Sequence, residues 1–335
     1  MDDRQPRLPE DYLSIPERVN ITGTIVARPV AEGRGDRPAL HIENRTVTYA
    51  ELESLTNRFG HALAAAGVGR GDHFVVRSPN SVEYVVAVLG GMKIGAVPIP
   101  ASSLYRAWEL EHILTNSGAS LVFTTEELLP AFDEVAPRCP ALAETVLLEG
   151  TRPGLRSFEE FLAGHPDTSA LADTAADDPA YAIYTSGTTG RPKGVVRDNG
   201  GHAVALRWSM PNVYDTHPGE VFWAASDVGW VVGHSYIVYA PLLTGCTTIL
   251  YEGKPVGTPD PGAFWRVIAQ HGVKTLFTAP TAFRAIKKEY PDGSHLSSYD
   301  LSRFVYLFLA GERLDPDTYH WAKDLLNVPV IDHWW

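Results

Sequence analysis

The chain has 335 residues, of which 44% are hydrophobic and 20% are charged, so it has enough apolar surface to offset the entropy lost on folding. Its net charge of −12, without a long run of Lys or Arg, argues against nucleic acid or an anionic membrane as a partner. Only Cys139 and Cys246 occur, too few for a disulfide framework or a four-ligand zinc site, which favours a reducing, cytoplasmic location.

The sequence predicts neither a secretory signal nor a membrane span. The first twenty residues lack the basic-then-apolar pattern of a secretory signal, so we expect the chain to begin near Met1. The longest apolar stretch, SVEYVVAVLGGMKIGAVPIP, contains Glu83, Lys93 and three glycines, which argues against a membrane span. We interpret it as a helix followed by a buried strand.

The first half of the chain predicts alternating helices and strands. TVTYAELESLTNRFGHALAAAG opens with Thr48 and Glu51 at capping-box spacing, repeats apolar residues on one helical face and ends at Gly67. The other expected helices are 81–94, closed by Gly95, then 107–117, closed by Gly118, and one near 126–136. The expected strands are HFVVRS, AVPIP, SLVFTT and ETVLL.

A linker containing Pro, Gly and Asp is expected near residues 149–180, after which the alternation resumes. The expected strands of the second half are AYAIYT, EVFWAAS, TTILYEG, KTLFTA, FVYLFLA and VPVID. Asp260–Pro261 and Asp315–Pro316 each join an N-cap residue to a first-turn proline, so both predict helix starts. This dense alternation predicts an α/β fold, with mostly parallel sheets covered by helices on both faces.

In such sheets, ligands bind beyond the carboxyl ends of the strands. Polar segments follow several expected strands in the second half, and we expect them to share one site. These segments are Thr185–Lys193, Asp227–His234, Ala310–Arg313 and Asp332–Trp335.

The segment YTSGTTGRPKG is dense in glycine and hydroxyl residues. Gly187, Gly190 and Gly194 would let backbone N–H groups approach an anion closely, and Lys193 adds a positive charge, which together suit the β- and γ-phosphates of a nucleotide. The hydroxyl donors are Thr185, Ser186, Thr188 and Thr189. The glycine spacing and the Gly after Lys193 exclude a Walker A loop. On composition alone, a flexible surface turn is the alternative interpretation.

This segment resembles the signature of adenylate-forming enzymes, the group that contains acyl-CoA synthetases, luciferases and peptide-synthetase adenylation domains. SDVGWVVGHSYIVYAPLLTG is similar to the second core motif of short-chain acyl-CoA synthetases. LAGERL resembles their Gly-Glu adenine segment, and DHWW resembles the run before their next motif. The resemblance covers the chain from about Arg37 onward.

The resemblance implies the large amino-terminal domain of that fold, with two α/β subdomains at about 37–175 and 176–335, preceded by an extension at 1–36. In the family, the pattern continues into a Mg²⁺-contacting glutamate, a hinge and a small carboxyl-terminal domain. We therefore expect this chain to be a truncated large domain. A fragment that binds a nucleotide or an acyl group without catalysis is the second hypothesis.

The resemblance also implies a reaction, in which a carboxylate attacks the α-phosphorus of ATP, pyrophosphate leaves with Mg²⁺, and coenzyme A displaces AMP. Thr188 and Lys193 are the implied catalytic residues at the departing pyrophosphate. The implied nucleotide-binding residues are Thr185, Ser186, Gly187, Thr188, Thr189, Gly190, Lys193, Gly311, Glu312, Arg313, Asp332, His333 and Trp334. For Gly311 and Glu312 the alternative is an ordinary helix-entry turn.

The implied acyl pocket consists of Trp230, Val231, Val232, Ala310 and Trp335. Val232, Ala310 and Arg313 depart from the acetate-activating pattern, which has Thr, Val and Pro there. The smaller Ala310 opens space for one methylene, worth about 1–3 kcal/mol, so propionate is favoured over acetate. Core packing is the alternative for any single tryptophan, and a medium-chain or aryl acid is the alternative substrate.

His234 has two interpretations, a gate or orienting group over the carboxylate, or a hydrogen-bonded histidine at a helix start. The surrounding GHSYI superficially matches a hydrolase nucleophile elbow, but Ile237 stands where that motif needs glycine, which excludes a serine hydrolase. The histidines show no metal-ligand spacing, so no protein metal site is expected.

Overall fold

The computed structural model describes residues 16–185, 192–256 and 262–334. The strands are β1 Pro38–Ile42, β2 Arg45–Thr48, β3 His73–Arg77, β4 Val97–Pro100, β5 Leu121–Thr125, β6 Glu144–Glu149, β7 Arg156–Ser157, β8 Pro179–Thr185, β9 Lys193–Asp198, β10 Val221–Ala224, β11 Thr247–Leu250, β12 Thr275–Thr278, β13 Tyr306–Leu309 and β14 Val330–Asp332.

The α-helices are α1 Arg28–Ala31, α2 Tyr49–Ala65, α3 Val82–Lys93, α4 Ala107–Ser117, α5 Leu129–Val135, α6 Phe158–Leu162, α7 Gly200–Asn212, α8 Val231–Gly233, α9 Ala240–Leu243, α10 Ala263–His271, α11 Pro280–Glu289 and α12 Pro316–Leu326. π-helical turns at Gly23–Ala27 and His234–Tyr239 lead into α1 and α9, and short 3-10 turns lie at Ala136–Arg138 and Leu296–Ser298. Within the described ranges, no helix is long and apolar enough to cross a membrane.

The strands form two large sheets and a hairpin. A seven-stranded sheet has the order β14-β13-β12-β10-β11-β1-β2, a five-stranded sheet has the order β4-β3-β5-β6-β7, and β8 pairs with β9. Every pairing within the two large sheets is parallel except β1 with β2. The predicted α/β fold with mostly parallel sheets is therefore confirmed.

The sheets divide the chain differently from the expected boundary near residue 175. β1 pairs in parallel with β11, opposing Leu40 to Thr248, so the first two strands lie in the sheet of the second half. Residues 16–36, expected as part of an extension, place Ile21, Ile25 and Val26 in the hydrophobic core. The amino-terminal segment is thus integral to the packing of the seven-stranded sheet.

Local capping chemistry agrees with several predicted helix ends. The Thr48 hydroxyl accepts a hydrogen bond from Glu51 N at 3.1 Å, and the Asp315 carboxylate accepts one from Thr318 N at 2.8 Å. Gly118 ends α4 with φ 65°, a conformation that favours glycine. Asp260–Pro261 lies outside the described residues, and α10 begins after Gly262.

The expected linker at 149–180 contains β7 and α6, so the prediction missed two short elements. Ser157 and Glu160 form a reciprocal capping box at the start of α6, with Glu160 N donating to Ser157 Oγ at 3.2 Å and Ser157 N donating to Glu160 Oε2 at 2.8 Å. A five-residue helix is too short to show a 3.6-residue period. The capping-box spacing was the available signal.

Helix α3 runs without interruption through Gly90–Gly91. The missing side chains at these two positions let the helix approach two aromatic rings closely. A Cβ atom on Gly91 would lie 2.3 Å from Cζ of Phe74, and one on Gly90 would lie 2.8 Å from Cδ1 of Phe59. Both rings are fully buried and lie near each other, with centroids 6.2 Å apart and ring planes tilted by 43°. The glycine pair is therefore a contact surface between the helix and the core.

We expect Gly91→Ala to destabilise the protein by about 1–3 kcal/mol, because the added methyl group overlaps the buried Phe74 ring. An exposed helical Gly→Ala change would instead stabilise by about 1 kcal/mol. Urea unfolding measures the difference. Adding Phe74→Leu to Gly91→Ala should recover part of the loss, as coupled neighbours do. Stabilisation by Gly91→Ala alone would contradict the packing described here.

Candidate active site

The carboxyl ends of β10, β12, β13 and β14 lie side by side at one edge of the seven-stranded sheet. Two cavities open at this edge and share Gly311 in their walls. The first, of about 400 Å³, is lined by Gly311, Glu312, Arg313, Asp332, His333 and Trp334. The second, of about 560 Å³, is lined by Ala225, Ser226, Trp230, Val231, Val232, Phe277, Thr278, Ala279, Ala310 and Gly311.

Strand register brings the two halves of the first cavity together. β13 and β14 are parallel with Leu309 opposite Asp332, and His333 N donates to Leu309 O at 2.8 Å. Gly311 has φ 96°, and no atom lies within 4 Å of the position that a Cβ would occupy. Its backbone therefore presents an open, flat surface that a residue with a side chain would obstruct.

The Glu312 carboxylate is held by helix α11. Glu312 Oε1 accepts from Thr281 N at 2.9 Å in the first turn of that helix, and Oε2 lies 3.0 Å from NH1 of Arg284. Burial acts to raise the pKa of Glu312, but the hydrogen bond and charge of Arg284 outweigh it and hold that pKa below its ordinary value. Arg284 also donates to Arg313 O at 3.0 Å and to Asp315 Oδ2 at 2.8 Å. One guanidinium thus fixes the segment that follows β13.

His333 lies between aromatic rings at the inner wall of the first cavity. Its Nε2 is 3.4 Å from the Tyr214 hydroxyl, and its ring contacts those of Tyr214, Phe277 and Phe308. Burial lowers the pKa of His333, which favours the neutral imidazole. Trp334 is 85% exposed, so this side of the cavity has a large aromatic face open to solvent.

The second cavity is mainly apolar, and the structure brings four of the five predicted acyl-pocket residues to its walls. Trp230 is 50% exposed, which differs from the burial of a core tryptophan, and Ala310 is only 5% exposed beneath it. Sequence reasoning gave Ser226 no role, although it begins the motif SDVGWVVGHSYIVYAPLLTG, and it missed Phe277 because that residue lies inside a strand that carries no motif. The fifth predicted residue, Trp335, lies outside the described residues.

The ends of the Ser/Thr/Gly segment are anchored to the first half of the chain. Thr185 ends β8 and pairs with Lys193, which is exposed and begins β9, so the lysine lies on a strand that was not predicted. The Tyr105 hydroxyl donates to Tyr184 O at 2.7 Å, and Nε2 of His112 lies 2.8 Å from the Pro192 carbonyl oxygen. The predicted residues Ser186, Gly187, Thr188, Thr189 and Gly190 lie outside the described residues. Neither Thr185 nor Lys193 lines the two cavities.

The structure distinguishes between the two interpretations of His234. The residue is fully buried, with the Tyr84 hydroxyl 3.2 Å from Nδ1 and the Tyr239 hydroxyl 2.7 Å from Nε2. Burial, assisted by the nearby His202, lowers the pKa of His234 to about 3. A neutral histidine with both ring nitrogens bonded inside the core fits the structural interpretation, and a gating role would require it to leave these partners.

The AMP-binding enzyme family matches residues 27–335, and the chain therefore belongs to this family. It is 40% identical over 340 residues to the mitochondrial acyl-CoA synthetase short-chain family member 3 of Bos taurus, covering 95% of this chain and 50% of that protein. It is 33% identical over 346 residues to the acetyl-coenzyme A synthetase of Ralstonia nicotianae, covering 95% and 52%. The resemblance inferred from the sequence is confirmed.

The fold also matches a solved structure. The crystal structure of an anthranilate CoA ligase in complex with anthranoyl-AMP superposes with a TM-score of 0.87 at 24% sequence identity, covering 96% of this chain and 60% of that chain. The chain spans about half the length of the curated relatives it matches. In the described parts of the chain, no group of three or more His, Cys, Asp and Glu side chains is placed to hold a metal ion.

We expect Arg284→Ala to weaken nucleotide binding about three- to tenfold, because Glu312 and the Arg313 carbonyl lose their shared charged donor. Calorimetric titration with ATP measures the change. Lys287→Ala is the matched control, since Lys287 pairs with Asp317 one turn further along α11 and does not touch the cavity. Equal weakening by both variants would show that Arg284 acts only through general stability.

Proposed function

We propose that this chain activates a short-chain carboxylic acid with ATP, forming an acyl adenylate, and that the protein then transfers the acyl group to coenzyme A. The observation that carries the proposal is the pair of adjoining cavities that share Gly311, one polar with an aromatic face and the other apolar. An acyl adenylate has an adenosine half and an acyl half joined at a phosphate. The polar cavity would take the adenosine half and the apolar cavity the acyl half.

In the first step, a carboxylate oxygen attacks the α-phosphorus of ATP, and the bond to the bridging oxygen of pyrophosphate breaks. In the second step, the coenzyme A thiolate attacks the acyl carbon and AMP leaves. Neither step needs a protein nucleophile, so the residues of this chain act by orienting the reactants and stabilising charge. Thr188 and Lys193 are assigned to the departing pyrophosphate.

The nucleotide assignments come from the family resemblance, and the lining of the first cavity supports them. The backbone of Gly311 would lie against the purine, since its open face has room for a planar ring. The Asp332 carboxylate suits an amino or hydroxyl donor and disfavours phosphate. Mg²⁺ is expected with the phosphates of ATP, where it would share their charge.

The acyl assignment rests on Trp230, Val231, Val232 and Ala310 in the apolar cavity. The relatives named for short-chain acids and for acetate favour a small substrate. Propionate is the specific acid proposed, because Ala310 leaves room for one methylene more than valine would. One observation favours a longer or aryl acid instead, namely the cavity volume of about 560 Å³.

Pyrophosphate exchange into ATP, dependent on propionate, tests the activity of this chain directly. We expect exchange in the parent chain and a decrease of at least about tenfold in Lys193→Ala, because a charge at the leaving group acts mainly in the transition state. Lys323→Ala, on the exposed side of α12, is the control. Binding of a non-reactive acyl adenylate without exchange would favour the non-catalytic fragment, and absence of both would contradict the proposal.

We expect Ala310→Val to lower the rate of exchange with propionate relative to acetate about tenfold, because the added methyl groups occupy the wall of the apolar cavity. The panel is acetate, propionate, butyrate, octanoate and benzoate. The KM for ATP should stay within about twofold, which serves as the internal control. Equal rates across the panel in the parent chain would contradict the small-pocket proposal.

A further inference from the structure

We propose that Asn80 is a positioning residue that fixes the shape of the apolar cavity from the opposite sheet. The expected change in acid kinetics rests on the proposed function. The expected change in the position of the loop rests on the geometry alone. Asn80 follows β3, in the five-stranded sheet, whereas the cavity belongs to the seven-stranded sheet.

The side chain of Asn80 forms three hydrogen bonds that link the two halves of the chain. It is 4% exposed, and its Nδ2 donates to Ser226 O and to Tyr251 O, both at 2.9 Å. Its Oδ1 accepts from Val228 N at 2.9 Å. One amide group thus bonds the loops that follow two neighbouring strands, β10 and β11.

These bonds act on the loop that carries Trp230. Ser226 and Trp230 both line the apolar cavity, and Val228 lies midway between them. Asn80 holds the N–H of Val228, while the Tyr84 hydroxyl donates to its carbonyl at 3.2 Å. Side chains from the first half of the chain thus bond both the N–H and the C=O of Val228. These two bonds fix the position of the loop that carries Trp230 relative to the rest of the apolar cavity.

A close backbone approach supports the same loop from another side. A Cβ on Gly229 would lie 2.5 Å from Cα of Ser102, in the loop that follows β4. Trp230 N then donates to Asp227 O at 3.1 Å, and His234 N donates to Trp230 O at 2.7 Å. The indole of Trp230 is therefore placed by a short, fully bonded backbone, and a displacement of the loop moves the cavity wall with it.

Asn80 is in turn held by its own backbone. Asn80 N donates to a carboxylate oxygen of Glu252, just after β11. The residue Glu252 is partly solvent-exposed, yet burial of its carboxyl group raises its pKa to about 7, opposed by the Asn80 hydrogen bond and reinforced by Asp227 and Glu149. Glu252→Gln keeps an acceptor oxygen for Asn80 N without the charge, so it should conserve the position of Asn80.

Removing the amide should loosen the cavity wall without altering the nucleotide cavity. We expect Asn80→Ala to raise the KM for propionate about tenfold or more and to change the KM for ATP less than about threefold. The reason is that a displaced wall of the apolar cavity no longer holds the acid in position for reaction. The ratio of butyrate to propionate rates should rise as the wall retreats. Glu252→Gln should keep both values within about twofold of the parent.

Asn57→Ala is the matched control for general destabilisation. Asn57 is 3% exposed, its Nδ2 donates to Asp167 O at 2.8 Å, and its Oδ1 accepts from Ala170 N at 3.3 Å, all far from the cavity walls. Both variants should lose similar stability. Only Asn80→Ala should alter acid selectivity, and the same shift in Asn57→Ala would overturn the positioning role.

Hydrogen–deuterium exchange of the intact chain tests the geometry without relying on activity. The Val228 amide should exchange at least about tenfold faster in Asn80→Ala than in the parent, because it loses its acceptor, and should be unchanged in Asn57→Ala. Unchanged protection in Asn80→Ala would overturn the proposal even if the chain proves inactive. If Asn80→Ala does not fold, Asn80→Asp keeps the acceptor for Val228 N while replacing the donor to Ser226 O, and should shift selectivity in the same direction.

Discussion

The parallel register of β10, β12, β13 and β14 is the constraint on which the candidate site depends. Because these strands run in the same direction and end at the same level, the residues that follow them meet without any element dedicated to bringing them together. Gly311 lies at the meeting point, and its positive φ turns the chain so that one backbone borders both cavities. The adenosine and acyl sites proposed for the two cavities would therefore share this residue.

The first half of the chain supports the same region through hydrogen bonds, and the described residues that line the two cavities all come from the second half. Asn80 and Tyr84 bond the loop that follows β10, while Tyr105 and His112 bond the two ends of the segment between β8 and β9. Each of these contacts is a side chain of the first half donating to, or accepting from, a backbone group of the second half. Backbone partners cannot be replaced by substitution, so the geometry is conserved when the second-half side chains vary.

Much of the fold was predictable from the sequence because strand-helix alternation and capping signals are local. Motif residues such as Trp230 and Trp334 were assigned through the resemblance to a known family, and their roles remain predictions. Asn80 and Arg284 were not, since their role comes from contacts with residues more than twenty-five positions away. His234 could not be assigned either, because burial and the hydroxyls of Tyr84 and Tyr239 are properties of the packed core.

The pairing of β1 with β11 joins an early segment of the chain to the sheet of the second half through backbone hydrogen bonds. Strands made early in the sequence cover what would otherwise be the bare hydrogen-bonding edge of β11. A separately produced second half, starting after residue 175, would expose that edge, and all four residues of β11 are buried in the complete chain. Such an edge is a template for intermolecular strand addition and aggregation. The seven-stranded sheet is therefore complete only with β1 and β2 from the first half of the chain, although the strands that border the two cavities all come from the second half.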